Sequence, residues 1–363
     1  MKTSIVLGLG FGDEGKGKTT AWLASKQKSE ETLIIRFSGG QQAGHTVDEN
    51  GLHHVFSSFG SGTLQGVPTF WSKYCTFYPT GFINERNALL SLGISPDIMI
   101  DPMSPVTTPY DVLFNRTDKD TRLHGTVGVG VAPTLKRHES FFKLYFGDLK
   151  YDKVLRAKME NIRKYYYNFD ESIDDTAIVK SFYEAVKEIR DLKICDFTDS
   201  ISKYKHVIFE GSQGILLDQN YGFFPNVTKS NTTCKNAIKL IKKFGIKNNK
   251  IIDMWYVTRT YQTRHGAGFM INEQPLKLKN AEHETNIYNQ YQGNFRIGKL
   301  DDELLNYAIL CNEREIKLEN IVTKNLMITC NDQFEEIFPL YCHFDNVCGS
   351  YGQETNNIRS IGA

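Results

Sequence analysis

Gly8-Leu9-Gly10-Phe11-Gly12-Asp13-Glu14-Gly15-Lys16-Gly17-Lys18 decides how this chain folds, because it joins a β-branched run, Ser4 to Leu7, to a helical pattern, Lys18 to Lys28. Glycines let backbone N–H groups close around phosphate oxygens, and two lysines add positive charge. Two carboxylates in the same turn gain nothing from a polyanion and weaken its binding. A loop carrying both signs therefore points to chemistry or to a metal.

The same grammar recurs outward from that loop. Thr32 to Phe37, His206 to Phe209 and Ile251 to Val257 read as strands, the first two running into glycine turns, and Asn84 to Leu92, Ile178 to Leu192 and Asp302 to Asn312 read as helices. Strand, glycine turn and helix in alternation predict an α/β fold: an open, mostly parallel sheet with flanking helices, whose ligands gather at the carboxyl ends of the strands. Residues 110–199, rich in Tyr, Phe, Lys and Asp, read as a mainly helical insertion capping the sheet. No linker, repeat or low-complexity tract divides the 363 residues, so 1–363 is read as one domain.

Composition excludes several classes. The formal net charge is +1 with the signs interspersed, so there is no electrostatic footprint for nucleic acid. The run Lys239 to Lys250 reads as a solvated helix and turn. Seven cysteines without a CxxC spacing argue against a disulfide framework or a zinc site and fit a reducing, cytoplasmic setting. Thr3 to Leu7 follows the first residues directly, with no charged-then-apolar leader, and no apolar run is long enough to span a membrane.

Three readings of the loop follow from its residues alone. Gly12 to Thr19 satisfies the P-loop pattern, with Lys18 reaching phosphates and Thr19 available for magnesium, which makes a nucleotide kinase one hypothesis. Gly10-x-Gly12-x-x-Gly15 satisfies the dinucleotide fingerprint, but the second strand ends Arg36-Phe37-Ser38 with no acid to hold a ribose. A plain tight turn would explain the glycines and not Asp13, Glu14, Lys16 and Lys18 together.

A fourth reading rests on resemblance. The loop is similar to the GDEGKGK signature of adenylosuccinate synthetases, and further motifs follow in the family's order. Gly39-Gly40-Gln41-Gln42-Ala43-Gly44-His45-Thr46 resembles GGxNAGHT, and Gly125-Thr126-Val127-Gly128-Val129-Gly130, after Leu123-His124, resembles GTTGRG. Phe209-Glu210-Gly211-Ser212-Gln213-Gly214 with Leu216-Leu217-Asp218 resembles FEGAQGxLLD; Phe224 to Thr233 resembles YPxVTSSNTT; Thr263 to Gly268 resembles TRVGAG.

The resemblance implies a homodimeric, magnesium-dependent ligase joining a purine nucleoside monophosphate to L-aspartate at the expense of a nucleoside triphosphate. Asp13 is then the base that takes the purine N1 proton and, with the Gly44 carbonyl, a ligand of Mg²⁺. Lys16 and His45 stabilise the charge of the transferred phosphoryl group, and Gln213 holds the 6-oxygen. Gly12, Glu14, Gly15, Gly17, Lys18, Thr19 and Lys324 serve the triphosphate; Gln42, Thr126, Thr228, Arg264 and Arg296 serve the other substrates. His53, His54 and His265 lack such context and read as structural. Bland readings remain for others: Lys16 as a solvated lysine, and Thr228 to Thr233 as caps of a helix starting near Asn236.

The departures from the family cluster by ligand. Val129 stands where GTTGRG carries an arginine, and the arginine-rich aspartate loop aligns with Gly293 to Leu300, keeping only Arg296 and Lys299. Thr323-Lys324-Asn325-Leu326 aligns with the guanine-reading TKxD motif and puts leucine in the acid's place, which admits ATP or dATP beside GTP. Val127 replaces a phosphate-binding threonine, and Glu139-Ser140-Phe141-Phe142 lacks the arginine that a partner subunit inserts, leaving Lys136 or Arg137 as substitutes. Residues 300–363 form a shortened, divergent end. These changes resemble the bacteriophage relatives that act on dGMP, whereas Asp13 argues for retained action on IMP. A purine-nucleotide-binding protein without catalysis is the remaining alternative.

Overall fold

Six of the seven residues of β1 (Lys2–Gly8) are buried, which marks a strand covered on both faces in the middle of a parallel sheet. The computed structural model describes residues 1–118, 125–167, 175–190, 192–194, 201–246, 251–281, 284, 286, 288, 290–316, 321–334 and 343–361. Leu123, His124 and the end of the lysine run at 247–250 lie outside them.

After β1 come α1 (Lys16–Ser25), β2 (Thr32–Arg36), β3 (His45–Glu49), β4 (Leu52–Phe56), β5 (Thr69–Trp71), α2 (Pro79–Ser91) and β6 (Ile98–Ile100). A helical stretch follows: α3 (Pro109–Thr117), α4 (Val131–His138), α5 (Asp152–Tyr167) and α6 (Thr176–Ile189), leading into β7 (Lys193–Ile194). The remainder is β8 (His206–Gly214), α7 (Lys235–Lys243), β9 (Ile251–Arg259), β10 (Gln262–His265), β11 (Phe295–Gly298), α8 (Asp302–Glu313), β12 (Ile321–Thr329), β13 (Asn346–Ser350) and β14 (Ile358–Ser360).

Ten strands form one sheet in the order β14-β13-β12-β9-β1-β8-β2-β5-β6-β7. Every neighbouring pair is parallel except β13 with β14. The expected open α/β sheet is present. Leu7, Phe37, Phe209, Tyr256 and Ile309 fill one face, and Val6, Ile34, Ile208, Val257 and Met327 the other, where Trp22 of α1 meets Trp255 edge-on with centroids 5.3 Å apart. The described part of residues 110–199 holds α3 to α6 and also β7, the last strand on that side of the sheet. β12, β13 and β14, from the part of the chain after residue 300, are three further strands of the main sheet.

Two hairpins stand outside it. Asn50 and Gly51, both at positive φ (52° and 77°), close the β3–β4 turn, the Asn-Gly geometry that matches strand twist. The Glu354 carboxylate accepts from both turn amides. This hairpin brings His45, its first residue, against α1: a Cβ on Gly17 would lie 2.7 Å from the His45 Cβ. β10 and β11 form the second antiparallel pair, with His265 opposite Phe295.

Candidate active site

The glycine turns converge on one cleft of about 550 Å³ at the carboxyl ends of the central strands. Of the residues picked from the sequence, it gathers Gly12, Asp13, Gly15, Lys16, Gly17, Gln42, Gly44, His45, Thr126, Gln213, Thr228 and Arg264. Glu14, Lys18, Thr19, Lys324 and Arg296 are not on its wall, and each has a visible reason.

Glu14 turns inward. Its Oε1 accepts from the Gly10 and Gly12 amides at 3.0 and 2.8 Å, and its Oε2 accepts from Lys16 Nζ. Two loop amides expected at a phosphate are therefore satisfied by the protein's own carboxylate, and Lys16 is buried in an ion pair rather than solvated. Thr19 is fully buried, with its hydroxyl donated to the Gly15 carbonyl at 3.0 Å, as in any helix interior. Lys18 donates to the Gly352 carbonyl, and burial pushes its ammonium down to about 8 against the pull of Cys330, Asp332, Asp48 and Glu354.

Lys324 is displaced by register. On β12 it pairs with Met254, whereas Gly8, the end of β1, is level with Val257 and Met327. Lys324 thus sits well back from the carboxyl edge and pairs with Glu313. The edge itself is Thr329-Cys330-Asn331-Asp332, a second T-x-x-D pattern: the Thr329 hydroxyl donates to the Glu14 carbonyl at 2.7 Å, and Asn331 contacts the Ser350 carbonyl at the end of β13. An acid, Asp332, occupies the place where the alignment through Lys324 found leucine.

Arg296 forms a fork on Glu273 and donates to the Gly266 and Gly268 carbonyls at 2.9 Å each. It braces the turn after β10. Arg264, on the wall, donates to the carbonyls of Ala267, Phe269 and Asn226, and its guanidinium lies 4.3 Å from the centre of the Phe11 ring. Arg137 is wholly buried on Asp111, at 2.9 Å through Nε and through Nη2, so it cannot reach another subunit; Lys136 is exposed.

Behind the wall, His45 Nδ1 lies 2.6 Å from Glu210 Oε1, and Glu210 also accepts from the Ser61 amide at 3.0 Å and the Ser61 hydroxyl. Arg36, fully buried, is the register partner of Glu210 on β2. Burial raises the Glu210 carboxyl, but His45 and Arg36 together hold it below the usual range. Burial and Arg36 push His45 below its ordinary value despite Glu210. Nδ1–H is donated to an ionised carboxylate, and Nε2 is 3.2 Å from the Ser212 carbonyl oxygen.

The rest of the lining mixes polar and apolar side chains. Both amide atoms of Gln42 are buried without a hydrogen-bond partner among the described residues, and the Thr126 hydroxyl accepts from Asn115 at 2.8 Å. Val127 and Val129, the departures from GTTGRG, line the cleft as apolar side chains. Thr232 and Thr233 do not cap α7, which has no side-chain cap; their amides donate to Asp218 at 2.6 and 3.3 Å.

The sequence reading missed His265, taken as structural. It lines the cleft with Nε2 3.2 Å from Asp13 Oδ2. Asp13 has φ 61°, and Arg259 donates to its carbonyl at 2.6 Å. Burial raises the Asp13 carboxyl, but His265, Arg259 and Lys16 more than offset this and hold it below the ordinary value. The one available signal was that histidine stands at the valine of TRVGAG.

The geometry agrees with what the chain resembles. A family model described as adenylosuccinate synthetase matches residues 5–337. The adenylosuccinate synthetase of Phocaeicola vulgatus is 30% identical over 333 residues, covering 86% of this chain and 75% of that protein. That of Deinococcus deserti is 28% identical over 322 residues, covering 85% and 77%. Among solved structures, fully ligated adenylosuccinate synthetase from Plasmodium falciparum superposes with a TM-score of 0.73 at 21% identity, over 92% of this chain and 77% of that one. The succinoaminodeoxyadenylate synthetase of cyanophage S-2L, bound to dGMP and dATP as an energy donor, gives 0.68 at 14% identity, over 100% and 96%. At these identities the solved structures speak for the fold.

Proposed function

The chain belongs to the adenylosuccinate synthetase family of C–N bond-forming ligases, and from that premise we propose that it activates the 6-oxygen of a purine nucleoside monophosphate and replaces it with the amine of L-aspartate. The observation that carries this reading is the meeting of Asp13, Lys16, His45 and Gln213 in one cleft with Gln42, Thr126 and Thr228.

A purine 6-oxygen is a poor leaving group. In the proposed sequence Asp13 takes the N1 proton, and the 6-oxygen attacks the γ-phosphorus as the bond to the β-phosphate oxygen breaks. The aspartate nitrogen then attacks C6, and the C6–O bond breaks, releasing phosphate that carries the former 6-oxygen. Lys16 stabilises the phosphoryl charge. A triphosphate beside His45 Nε2 draws a proton onto the ring, and the ionised Glu210 on Nδ1 stabilises the imidazolium, as a triad carboxylate does.

Among the described residues no three His, Cys, Asp or Glu side chains form a metal cluster. Asp13 and the Gly44 carbonyl on one cleft offer a small set of hard oxygens, which suits Mg²⁺, an ion usually held by one or two protein oxygens and substrate phosphates. Bound there, the ion would neutralise phosphate charge.

For the acceptor we retain IMP and dGMP or GMP. For the triphosphate we favour GTP, because Asp332 supplies the acid of a T-x-x-D at the sheet edge, with ATP and dATP as rivals. A homodimer is proposed by resemblance, with Lys136 as the remaining basic residue for a neighbour. The kinase reading loses support, since Thr19 is locked in its helix and Glu14 occupies two loop amides.

The test is a matrix of IMP, GMP and dGMP, each with ATP or GTP and with or without L-aspartate, scored by phosphate release and product mass. A succinyl adduct identifies acceptor and donor together. Phosphate transfer onto the nucleotide's own phosphate would overturn the ligase reading in favour of a kinase, and binding without product would leave a nucleotide-binding protein. A second expectation concerns Lys18. With its ammonium held at about 8, an arriving polyphosphate favours the charged form, so triphosphate binding near pH 8 should take up protons. Calorimetry in buffers of different ionisation enthalpy reads this, and Lys18→Met should remove it.

A further inference from the structure

His265 sits against the Asp13 carboxylate at the end of a chain of hydrogen bonds that starts from the Asp13 carbonyl. Arg259 Nε donates to the Asp13 carbonyl and its Nη1 to Glu284 Oε2. Glu284 Oε1 accepts from Asn286 Nδ2 at 2.6 Å. Because a carboxylate only accepts, that bond fixes the amide with Nδ2 toward Glu284 and Oδ1 toward His265, where Oδ1 lies 3.3 Å from Nε2. Nε2 therefore faces two acceptors, Asn286 Oδ1 and, at 3.2 Å, Asp13 Oδ2, and must carry the hydrogen. The ring is held from behind by Phe295, its partner across β10–β11, with centroids 5.0 Å apart. Nδ1 is buried and has no hydrogen-bond partner among the described residues.

We propose that His265 is a positioning residue for Asp13: its Nε2–H holds Oδ2 and so presents the other carboxylate oxygen to the purine. The need arises from the loop. Asp13 stands between Gly12 at φ 108° and Glu14, itself at φ 61°, and its carboxylate faces His265 across the cleft. The family motif has valine at this position, which can pack but cannot donate. In this chain the orientation of Asp13 comes from the β10–β11 pair, distant in sequence, rather than from the glycine loop. The inference rests on the reading of Asp13 as the base.

The test compares His265→Phe, which keeps a ring without a donor, with His265→Gln, whose amide nitrogen lies at a similar reach. His265→Phe should lower kcat by about ten- to a hundredfold, the cost typical of a small misplacement of a reacting group. KM for both nucleotides should hold, and His265→Gln should recover most of the loss. Unchanged kcat in His265→Phe, or no recovery in His265→Gln, would overturn the proposal. Side-chain ¹⁵N–¹H spectra test the pair without turnover. They should show the Nε2–H tautomer of His265, shifted by Asp13→Asn; an Nδ1–H tautomer indifferent to that change would overturn the pair even in a poorly folded variant series. Absence of any wild-type turnover would instead count against the ligase reading, and the spectra would then decide the pair by themselves.

Discussion

Asp13→Asn should lower turnover by about 10²- to 10⁴-fold, the usual contribution of a positioned general base, while nucleotide binding stays largely intact. Asparagine is the informative replacement. It tolerates the left-handed backbone that Asp13 adopts, whereas alanine adds strain there. It also leaves an amide oxygen for the His265 donor, so the loop keeps its shape and only the proton acceptor is lost. His45→Ala should likewise remove most turnover, since it deletes a side chain that lines the cleft and strands Glu210. Single-turnover rates and equilibrium binding separate the two effects. Full activity in either variant would overturn the assignment, and a larger loss in Thr19→Ala than in Asp13→Asn would favour a kinase.

Asp111→Ala is expected to destabilise the fold by about 3–5 kcal/mol, because it leaves a buried guanidinium without its counter-charge. Asp111 and Arg137 are both fully buried, and Asp111 also accepts from the Tyr166 hydroxyl at 2.7 Å and from the Thr108 amide at 2.7 Å, closing the cap of α3. The burial that lowers Arg137 is outweighed by Asp111, which keeps the guanidinium charged. Denaturant unfolding measures the loss. A variant as stable as the parent, with altered nucleotide affinity instead, would mean that Arg137 serves a substrate or a neighbouring subunit after all.

The parts of the fold most legible in the sequence were those specified by local pattern. The buried run of β1, the glycine turn and α1 follow one another within the first 25 residues, and periodicity located their counterparts further on. The cleft was legible in part because the glycine motifs at the ends of β1, β2 and β8 lie where parallel strands bring their ends to one edge; the Gly125–Gly130 and Gly266–Gly268 turns reach it from outside the main sheet. What could not be read was register and long-range pairing. Thr323-Lys324 matches a motif in letters, yet the β9–β12 ladder places it inside the strand and puts Thr329 to Asp332 at the edge. Arg296 reads in the sequence as a substrate-binding arginine, but Glu273 and two carbonyls engage it. His265 looked like a lone histidine because only the β10–β11 hairpin brings it to Asp13. Glu14 was read as facing the triphosphate, but Gly8, Gly10 and Gly214 leave the space into which it folds back; a Cβ on Gly8 would lie 2.2 Å from its Oε2.

The central claim is that the 6-oxygen leaves the purine as phosphate. The direct test supplies the accepted nucleotide with ¹⁸O at position 6 and measures the mass of the inorganic phosphate released in the presence of triphosphate and L-aspartate. The account predicts that the label appears in the phosphate in step with the succinyl adduct. Unlabelled phosphate accompanying an adduct, or label retained on the purine while phosphate is released, would contradict it.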